Sequence, residues 1–315
     1  MPRYSATMSI AVECVQFLVK VLFYWLQGIV LAFVPTRWIA KDIHGKTVLI
    51  TGAAGGVGSL LADNLAKMGC RVVLWDVNQK LNDKVMEQIR SKYDVPVYAY
   101  CVDLTDREEI YKSVDRVCRE VGQVDILINN AGVVFGKRVV EADDRQMVQT
   151  MEVNCFAQYW TCKAVLPGMM QRNSGHIVTV ASSAGLMGVS GMADYCASKF
   201  ASIGFVESLR LELGTLGKHG VSTTLVCPYL INTGMFQGCK ARFPALMDAL
   251  EPQYVADKIT SAILRDQELV CLPRLIYVMV LAKAILPVKC QYLIYEFFGA
   301  NRMMDSFQGS HRKAS

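Results

Sequence analysis

From Val21 to Thr36 the chain reads VLFYWLQGIVLAFVPT, without a single charged residue. Counting back through Lys20 to Cys14 brings the apolar run to about the ~20 residues that a bilayer-spanning helix needs. Lys20 lies inside the run, but a long stem can carry its ammonium to the interface. A core helix of a soluble protein would have a similar composition. This run precedes every predicted strand, however, and has nothing there to pack against, so residues 1–40 read as a membrane anchor. The run ends at Pro35 with no small-x-small site, unlike a cleaved signal peptide. Trp38 suits a membrane–water boundary, as does Tyr24 if the helix lies shallow. Arg37, Lys41 and Lys46 follow the run and only Arg3 precedes it, which places the remainder on the cytosolic side.

Between residues 41 and 272 the pattern alternates between strand and helix. Short, continuously apolar runs rich in β-branched residues predict strands at Lys46–Thr51, Arg71–Asp76, Pro96–Val102, Asp125–Asn130, His176–Ser182 and Val221–Cys227. Apolar residues at helical spacing predict helices after Ser59, at Leu81–Ser91, Arg107–Val121, Met147–Gln171 and Phe200–Leu216. Buried strands alternating with helices mean a parallel sheet covered on both faces. The expected architecture is α/β: a doubly wound, Rossmann-type sheet in a single domain.

Residues 273–315 return to the apolar theme, with LIYVMVLAKAIL (Leu275–Leu286) and YLIYEFF (Tyr292–Phe298). Lys283, Pro287 and Lys289 argue against a full span. Two readings stand side by side: an interfacial helix or hairpin, and a segment that closes a substrate pocket. Arg312 and Lys313 near the terminus resemble a dibasic endoplasmic-reticulum retrieval signal.

Composition sharpens this picture. The 315 residues are 52% hydrophobic and 19% charged, which excludes a disordered chain. A net charge of +5 spread along the sequence gives no footprint for nucleic acid. Eleven cysteines, odd in number and without CxxC, read as reduced thiols rather than a disulfide framework. The four histidines are scattered, and no metal site is expected.

The candidate chemistry lies at strand ends. The first strand runs into Thr51-Gly52-Ala53-Ala54-Gly55-Gly56-Val57-Gly58, a TGxxxGxG turn opening a helix. Glycines there allow a tight turn and close approach to a pyrophosphate, with the helix N-terminus aimed at the anion. Asp76 ends the second strand, 24 residues after Gly52. A carboxylate there binds both adenosine ribose hydroxyls and repels a 2′-phosphate, so NAD is expected over NADP. Tyr195 and Lys199, four apart, share a helix face. An ammonium beside the phenol, together with the charge of an oxidised nicotinamide, would lower the phenol's pKa and make Tyr195 a general base. Ser182, 13 residues before Tyr195, would hold the substrate oxygen.

Together, TGxxxGxG, Asn129-Asn130-Ala131-Gly132, Asn154, Ser182 and Tyr195-x-x-x-Lys199 resemble the short-chain dehydrogenase/reductase family over about residues 45–272. The resemblance implies a catalytic tetrad of Asn154, Ser182, Tyr195 and Lys199, with Asn154 holding a proton-relay water. It implies cofactor contacts from Thr51, Gly52, Gly56, Val57, Gly58, Asp76, Asp103, Leu104, Asn130 and Thr233, and from Tyr195 and Lys199 themselves. The 13-residue spacing selects Ser182 over Ser183. One departure is Pro228-Tyr229, where many members carry Pro-Gly. Gly175–Ser183, Asp194–Phe200, Thr223–Leu230 and Thr233–Cys239 are similar to the membrane-bound retinol dehydrogenase group, and Met235–Pro244 to its retinal-reducing side.

That resemblance implies NAD-dependent oxidation of a lipophilic alcohol, all-trans-retinol foremost, at the endoplasmic-reticulum membrane or a lipid droplet. It also implies a homo-oligomer formed through the helices flanking the fifth strand. A hydroxysteroid dehydrogenase, an NADPH-dependent retinal reductase and a non-catalytic membrane scaffold are the competing expectations. Leu186, Met187, Met192, Met235 and Phe236 are the expected wall of an apolar pocket.

Overall fold

The computed structural model describes residues 3–239 and 242–309, which places Arg312 and Lys313 outside the described residues. The chain divides into two compact units, Met1–Lys41 and Asp42–Ser315.

The first unit is helix α1 (Arg3–Phe33) followed by a single turn, α2 (Thr36–Ile39). The helix begins eleven residues before the expected run, because Arg3–Glu13 contains no helix breaker. Pro35 stops it. The stretch Ser9–Phe33 is long and apolar enough to cross a bilayer, and none of it is buried.

The second unit holds a seven-stranded, wholly parallel sheet in the order β3-β2-β1-β4-β5-β6-β7. Its elements follow one another as β1 (Thr47–Thr51), α3 (Gly56–Lys67), β2 (Arg71–Asp76), α4 (Gln79–Lys92), β3 (Val97–Cys101), α5 (Arg107–Glu120) and β4 (Ile126–Asn129). Then come α6 (Asp144–Met151), a five-residue π-helical step (Glu152–Phe156), α7 (Ala157–Gln171), β5 (Gly175–Val180), α8 (Ala193–Thr215) and β6 (Val221–Pro228). The chain closes with α9 (Pro252–Leu264), β7 (Leu269–Leu272), α10 (Leu275–Ile285) and α11 (Val288–Phe297).

Strands β1 and β4 are buried at every position, as a sheet covered on both faces requires. Alternate residues feed two cores. Val48, Ile50, Val72 and Leu74 pack on one face against α3 and α9, through Leu61, Leu65, Ile259 and Ile263. Leu49, Val73, Trp75 and Leu127 pack on the other against α5, α7 and α8, through Ile110, Val114, Val165 and Leu209. Strand order reverses between β1 and β4, and open α/β sheets bind ligands beyond the strand C-termini at such a point.

The structure departs from the expected elements in four places. The seventh strand and α9 were not among them. The long helix expected over Met147–Gln171 is broken by the π-helical step. The fifth strand ends at Val180, so Ser182 stands two residues past it and caps a short 3₁₀ turn.

Candidate active site

The glycine-rich turn is shaped by contacts that exclude side chains. Gly52 adopts φ +64°, and a Cβ there would lie 2.8 Å from the Ala131 Cα. A Cβ on Gly58 would lie 2.3 Å from the Gly52 carbonyl oxygen and 2.7 Å from Asn130 Nδ2. Helix α3 therefore starts hard against the end of β1. Its N-cap is Gly55, which offers no side chain to satisfy the first amides. A close backbone approach and uncapped amides fit the pyrophosphate of a dinucleotide.

Thr51 and Asn130 brace this turn. Thr51 Oγ1 accepts from the Asn130 and Ala131 amides at 3.0 and 3.1 Å. Asn130 Nδ2 donates to the Thr51 and Gly52 carbonyls at 3.0 and 3.1 Å. Both side chains thus tie the β1 turn to the β4 turn. Val57 is buried behind the loop in the core. Thr233, remote in sequence, is brought alongside: its Cγ2 lies 3.7 Å from where a Gly56 Cβ would sit.

Asp76 closes β2 beside the turn. Its two carboxylate oxygens accept from the Ala54 and Asn78 amides, each at 3.0 Å, leaving lone pairs for further donors. Asp103 is exposed after β3, with Oδ1 bound to the Thr105 amide and hydroxyl at 2.9 and 2.8 Å. Leu104 beside it packs against the core.

The second cluster lies at the ends of β5 and β6. Tyr195 and Lys199 stand one turn apart at the start of α8, and both are buried. Ser182 stands near enough to the Tyr195 phenol to favour its ionised form. Ser182 Oγ accepts from the Ala184 amide at 3.1 Å. Ser183 lines a neighbouring cavity instead, so geometry separates the two serines as the spacing does. Lys199 Nζ donates to the Val180 carbonyl at 3.0 Å and lies 5.7 Å from the Tyr195 ring centre.

Asn154 sits in the π-helical step, fully buried, with its side chain held by both Val133 backbone groups and by Ser198. It does not touch Tyr195 or Lys199 directly. Gly132 separates it from Lys199: a Cβ there would stand 3.3 Å from Asn154 Oδ1 and 3.6 Å from Lys199 Nζ. Ser198 was missed in the sequence. It links Asn154 to the Tyr195 carbonyl, donating to that oxygen at 2.7 Å.

Burial governs the ionisation of both groups. It pushes the Tyr195 phenol up, opposed by the nearby Ser182. Lys199 is itself buried, and desolvation brings it down to about 8.

A pH dependence follows. Folded Lys199 releases its proton near 8, while the unfolded chain holds it to about 10.5. Between these values the unfolded state binds more protons, so stability rises with pH. Lys199→Met removes that gain, an upper bound of roughly 3 kcal/mol. Thermal denaturation should show the melting temperature of the variant, relative to the native chain, falling between pH 7 and pH 10. A difference independent of pH would contradict the assignment.

An apolar cavity of about 60 Å³ adjoins Ser183. Of the expected wall, Met187 lines it, Met192, Met235 and Phe236 surround Tyr195, and Leu186 packs in the neighbouring core. The rest of the wall includes Tyr229, Met247, Met279, Phe298 and Met303. Tyr229, the departure from Pro-Gly, forms part of it and donates to Met303 Sδ at 3.6 Å. The inner faces of α10 and α11 thus close a pocket, while Val278, Leu281, Ile285, Tyr292 and Leu293 are exposed.

Comparison with known proteins agrees with this geometry. The family model described as short chain dehydrogenase matches residues 46–242. Human epidermal retinol dehydrogenase 2 is 43% identical over 297 residues, covering 94% of this chain and 96% of that protein. Retinol dehydrogenase 10-A of Danio rerio is 41% identical over 335 residues, covering 98% and 97%. Among solved structures, a short chain dehydrogenase/reductase from Burkholderia phymatum in complex with NAD shares the fold, with TM-score 0.72, 24% identity and coverage of 80% and 96%. A metagenomic short-chain oxidoreductase in complex with NADP gives TM-score 0.62 at 28% identity, with coverage of 73% and 96%.

Proposed function

The chain belongs to the short-chain dehydrogenase family, and from that premise we propose that it oxidises all-trans-retinol to all-trans-retinal, with NAD as acceptor and Tyr195 as general base. Family membership makes it an oxidoreductase acting on CH–OH groups. The observation that carries the substrate reading is one juxtaposition. Ser182 stands beside the Tyr195 phenol, and the next residue, Ser183, lines a cavity walled by Met, Phe and Tyr side chains. A long apolar alcohol can place its hydroxyl at the polar pair and its chain among the apolar residues.

When bound, the nicotinamide ring supplies the hydride acceptor. The protein's part is positioning and proton transfer. Gly52, Gly56 and Gly58 admit the pyrophosphate, with Val57 behind them, and Asp76 takes the adenosine ribose hydroxyls. Asp103 and Leu104 border the adenine, Asn130 holds the loop, and Thr233 stands beside it. Ser182 Oγ holds the alcohol oxygen, and Tyr195 Oη takes its proton as the carbinol carbon becomes a carbonyl. Lys199 would lead that proton outward, and Asn154, beyond Gly132, would hold the relay water that receives it.

NAD is favoured over NADP because Asp76 already stands beside the turn, held by two amides. Asp76→Ala should reduce the preference for NAD over NADP, measured as the kcat/KM ratio, by about tenfold or more, the worth of one charged contact. An unchanged ratio would remove Asp76 from the ribose site.

The same reading divides the chain into an anchor over residues 1–40, a catalytic domain over 41–272 and an apolar extension over 273–315. It places the enzyme in the endoplasmic-reticulum membrane with its catalytic domain in the cytosol, and a lipid-droplet surface is the alternative address. Support comes from the span-length apolar helix Ser9–Phe33 and from the basic residues that follow it. Homo-oligomerisation is supported by Phe200 and Leu211, exposed on α8, and by Phe156, exposed at the end of the π-helical step before α7.

A hydroxysteroid dehydrogenase is the second reading, since the same apolar wall would accept a sterol. Initial rates with NAD and either retinol or estradiol, on protein purified in lipid, separate the two. Retinol should have the higher kcat/KM, and a preference for estradiol would exchange the readings.

A further inference from the structure

The segment that follows α11 crosses the mouth of the candidate site. Met304 is buried in one cluster with Tyr195, Cys196, Met192 and Val134. Its neighbour Met303 packs against the same cluster and also lines the cavity. Phe307 and Met304 fill the space above Gly136, where a Cβ would lie 2.3 Å from the Phe307 ring and 2.7 Å from Met304 Cε. A Cβ on Gly191 would meet Met304 Cβ at 3.0 Å.

The segment is tied down on three sides, at loops following three successive strands of the sheet. Asp305 pairs with Arg138 after β4 at 3.6 Å. Met304 lies over Gly191 between β5 and α8. The Gln308 amide donates to the Gln237 carbonyl after β6 at 3.0 Å. These loops occupy the C-terminal ends of β4, β5 and β6, where an α/β sheet presents its ligand.

Two quantities decide what this means. The cavity holds about 60 Å³, whereas pockets for ligands of drug size measure roughly 300–1,000 Å³. The carbon bearing the hydroxyl must also reach Tyr195 Oη, and Tyr195 is only 4% exposed beneath this cluster. A substrate can react only if the segment yields. The buried side chain that the segment contributes to the Tyr195 cluster is the flexible, unbranched one of Met304. Gly299 and Gly309, both with positive φ, bracket the segment and let it turn without steric penalty.

The structure assigns Met304 as a specificity-determining residue. With Met303 and Phe307 it forms a roof, carried by residues 299–309, that decides which alcohols reach Tyr195. This rests on the dehydrogenase reading. A slim primary alcohol displaces one thioether chain, whereas a carbinol flanked by ring carbons collides with it.

The test is the ratio of kcat/KM for all-trans-retinol to that for estradiol, with NAD, in the full-length protein. Met304→Ala should shift that ratio toward estradiol by about tenfold or more, as gain or loss of methylene-sized volume does in an apolar pocket. Met304→Leu, similar in volume, should keep both the ratio and the melting temperature of the native chain. A ratio within twofold of native in Met304→Ala, with NAD affinity retained, overturns the assignment.

Absence of turnover of either alcohol by the native protein would sink the retinol reading, not this one. The roof is then judged by the affinity of the neutral apolar probe N-phenyl-1-naphthylamine, which needs no turnover. That affinity should be about tenfold higher in Met304→Ala than in Met304→Trp, and equal affinities overturn the proposal.

Discussion

Tyr195→Phe is expected to lower kcat for alcohol oxidation by about 10³-fold while leaving dinucleotide affinity within about twofold. The change removes one oxygen and little else. The ring keeps its edge-to-face contact with Phe236, at 5.8 Å between centres, and its packing against Met192 and Met304. Ser182 keeps its hydrogen bonds to the Ala184 amide and the Pro228 carbonyl. Lys199 keeps the Val180 carbonyl. Loss of turnover with the fold intact would therefore report proton transfer alone. Turnover within tenfold of native would show that another group takes the proton. The same variant decides against a non-catalytic scaffold, because a scaffold's cellular effect would survive it.

Gly58→Ala is the second large effect, and it acts through backbone. The added methyl would lie 2.3 Å from the Gly52 carbonyl oxygen, and neither end of the contact is a flexible side chain. Relief requires either the start of α3 or the β1 turn to move. The β1 turn is held by Thr51 and Asn130. Movement of that size costs typically ~1–3 kcal/mol in stability. It also displaces the amides that would meet the pyrophosphate, so dinucleotide affinity should fall by about 100-fold or more. Gly204→Ala is the control: on α8 a Cβ there meets nothing within 4 Å, and the helix should gain up to ~1 kcal/mol. Isothermal titration with NAD and thermal denaturation check both. Native affinity in Gly58→Ala would mean that the loop does not carry the cofactor.

Much of this site was legible because its parts are short-range patterns. The β1 turn, Asp76 at a strand end and the Tyr195–Lys199 pair each declare themselves within a few residues. Six of the seven strands did so as well. Strand β7 did not, because LVCL is four residues long and an apolar run of that length has no period. Helix α9 could have been found: Pro252 at its first turn and apolar residues at 255, 256, 259, 262 and 263 are a helix signature.

Other features depend on what folding brings together. The π-helical step that turns Asn154 toward Val133 has no residue-level marker. The roof over Tyr195 comes from a segment without periodicity, placed by contacts with loops about 70 to 170 residues away in sequence. The ionisation of Tyr195 depends in the same way on what folding does. Sequence placed an ammonium beside the phenol but could not reveal that both groups are buried, and burial dominates both pKa values. The hydrophobic C-terminus read two ways, and its helices are two-faced: Met279 and Tyr295 line the cavity while Leu281 and Tyr292 are exposed.

The central claim is that an apolar alcohol is oxidised at Tyr195 with NAD. The most direct test is to express the full chain in microsomes and cross retinol and retinal with NAD, NADP and their reduced forms. Retinal should form from retinol faster with NAD than with NADP, and Tyr195→Phe microsomes should form none above background. No retinal with either cofactor, or reduction of retinal by NADPH outpacing oxidation by NAD, would contradict it.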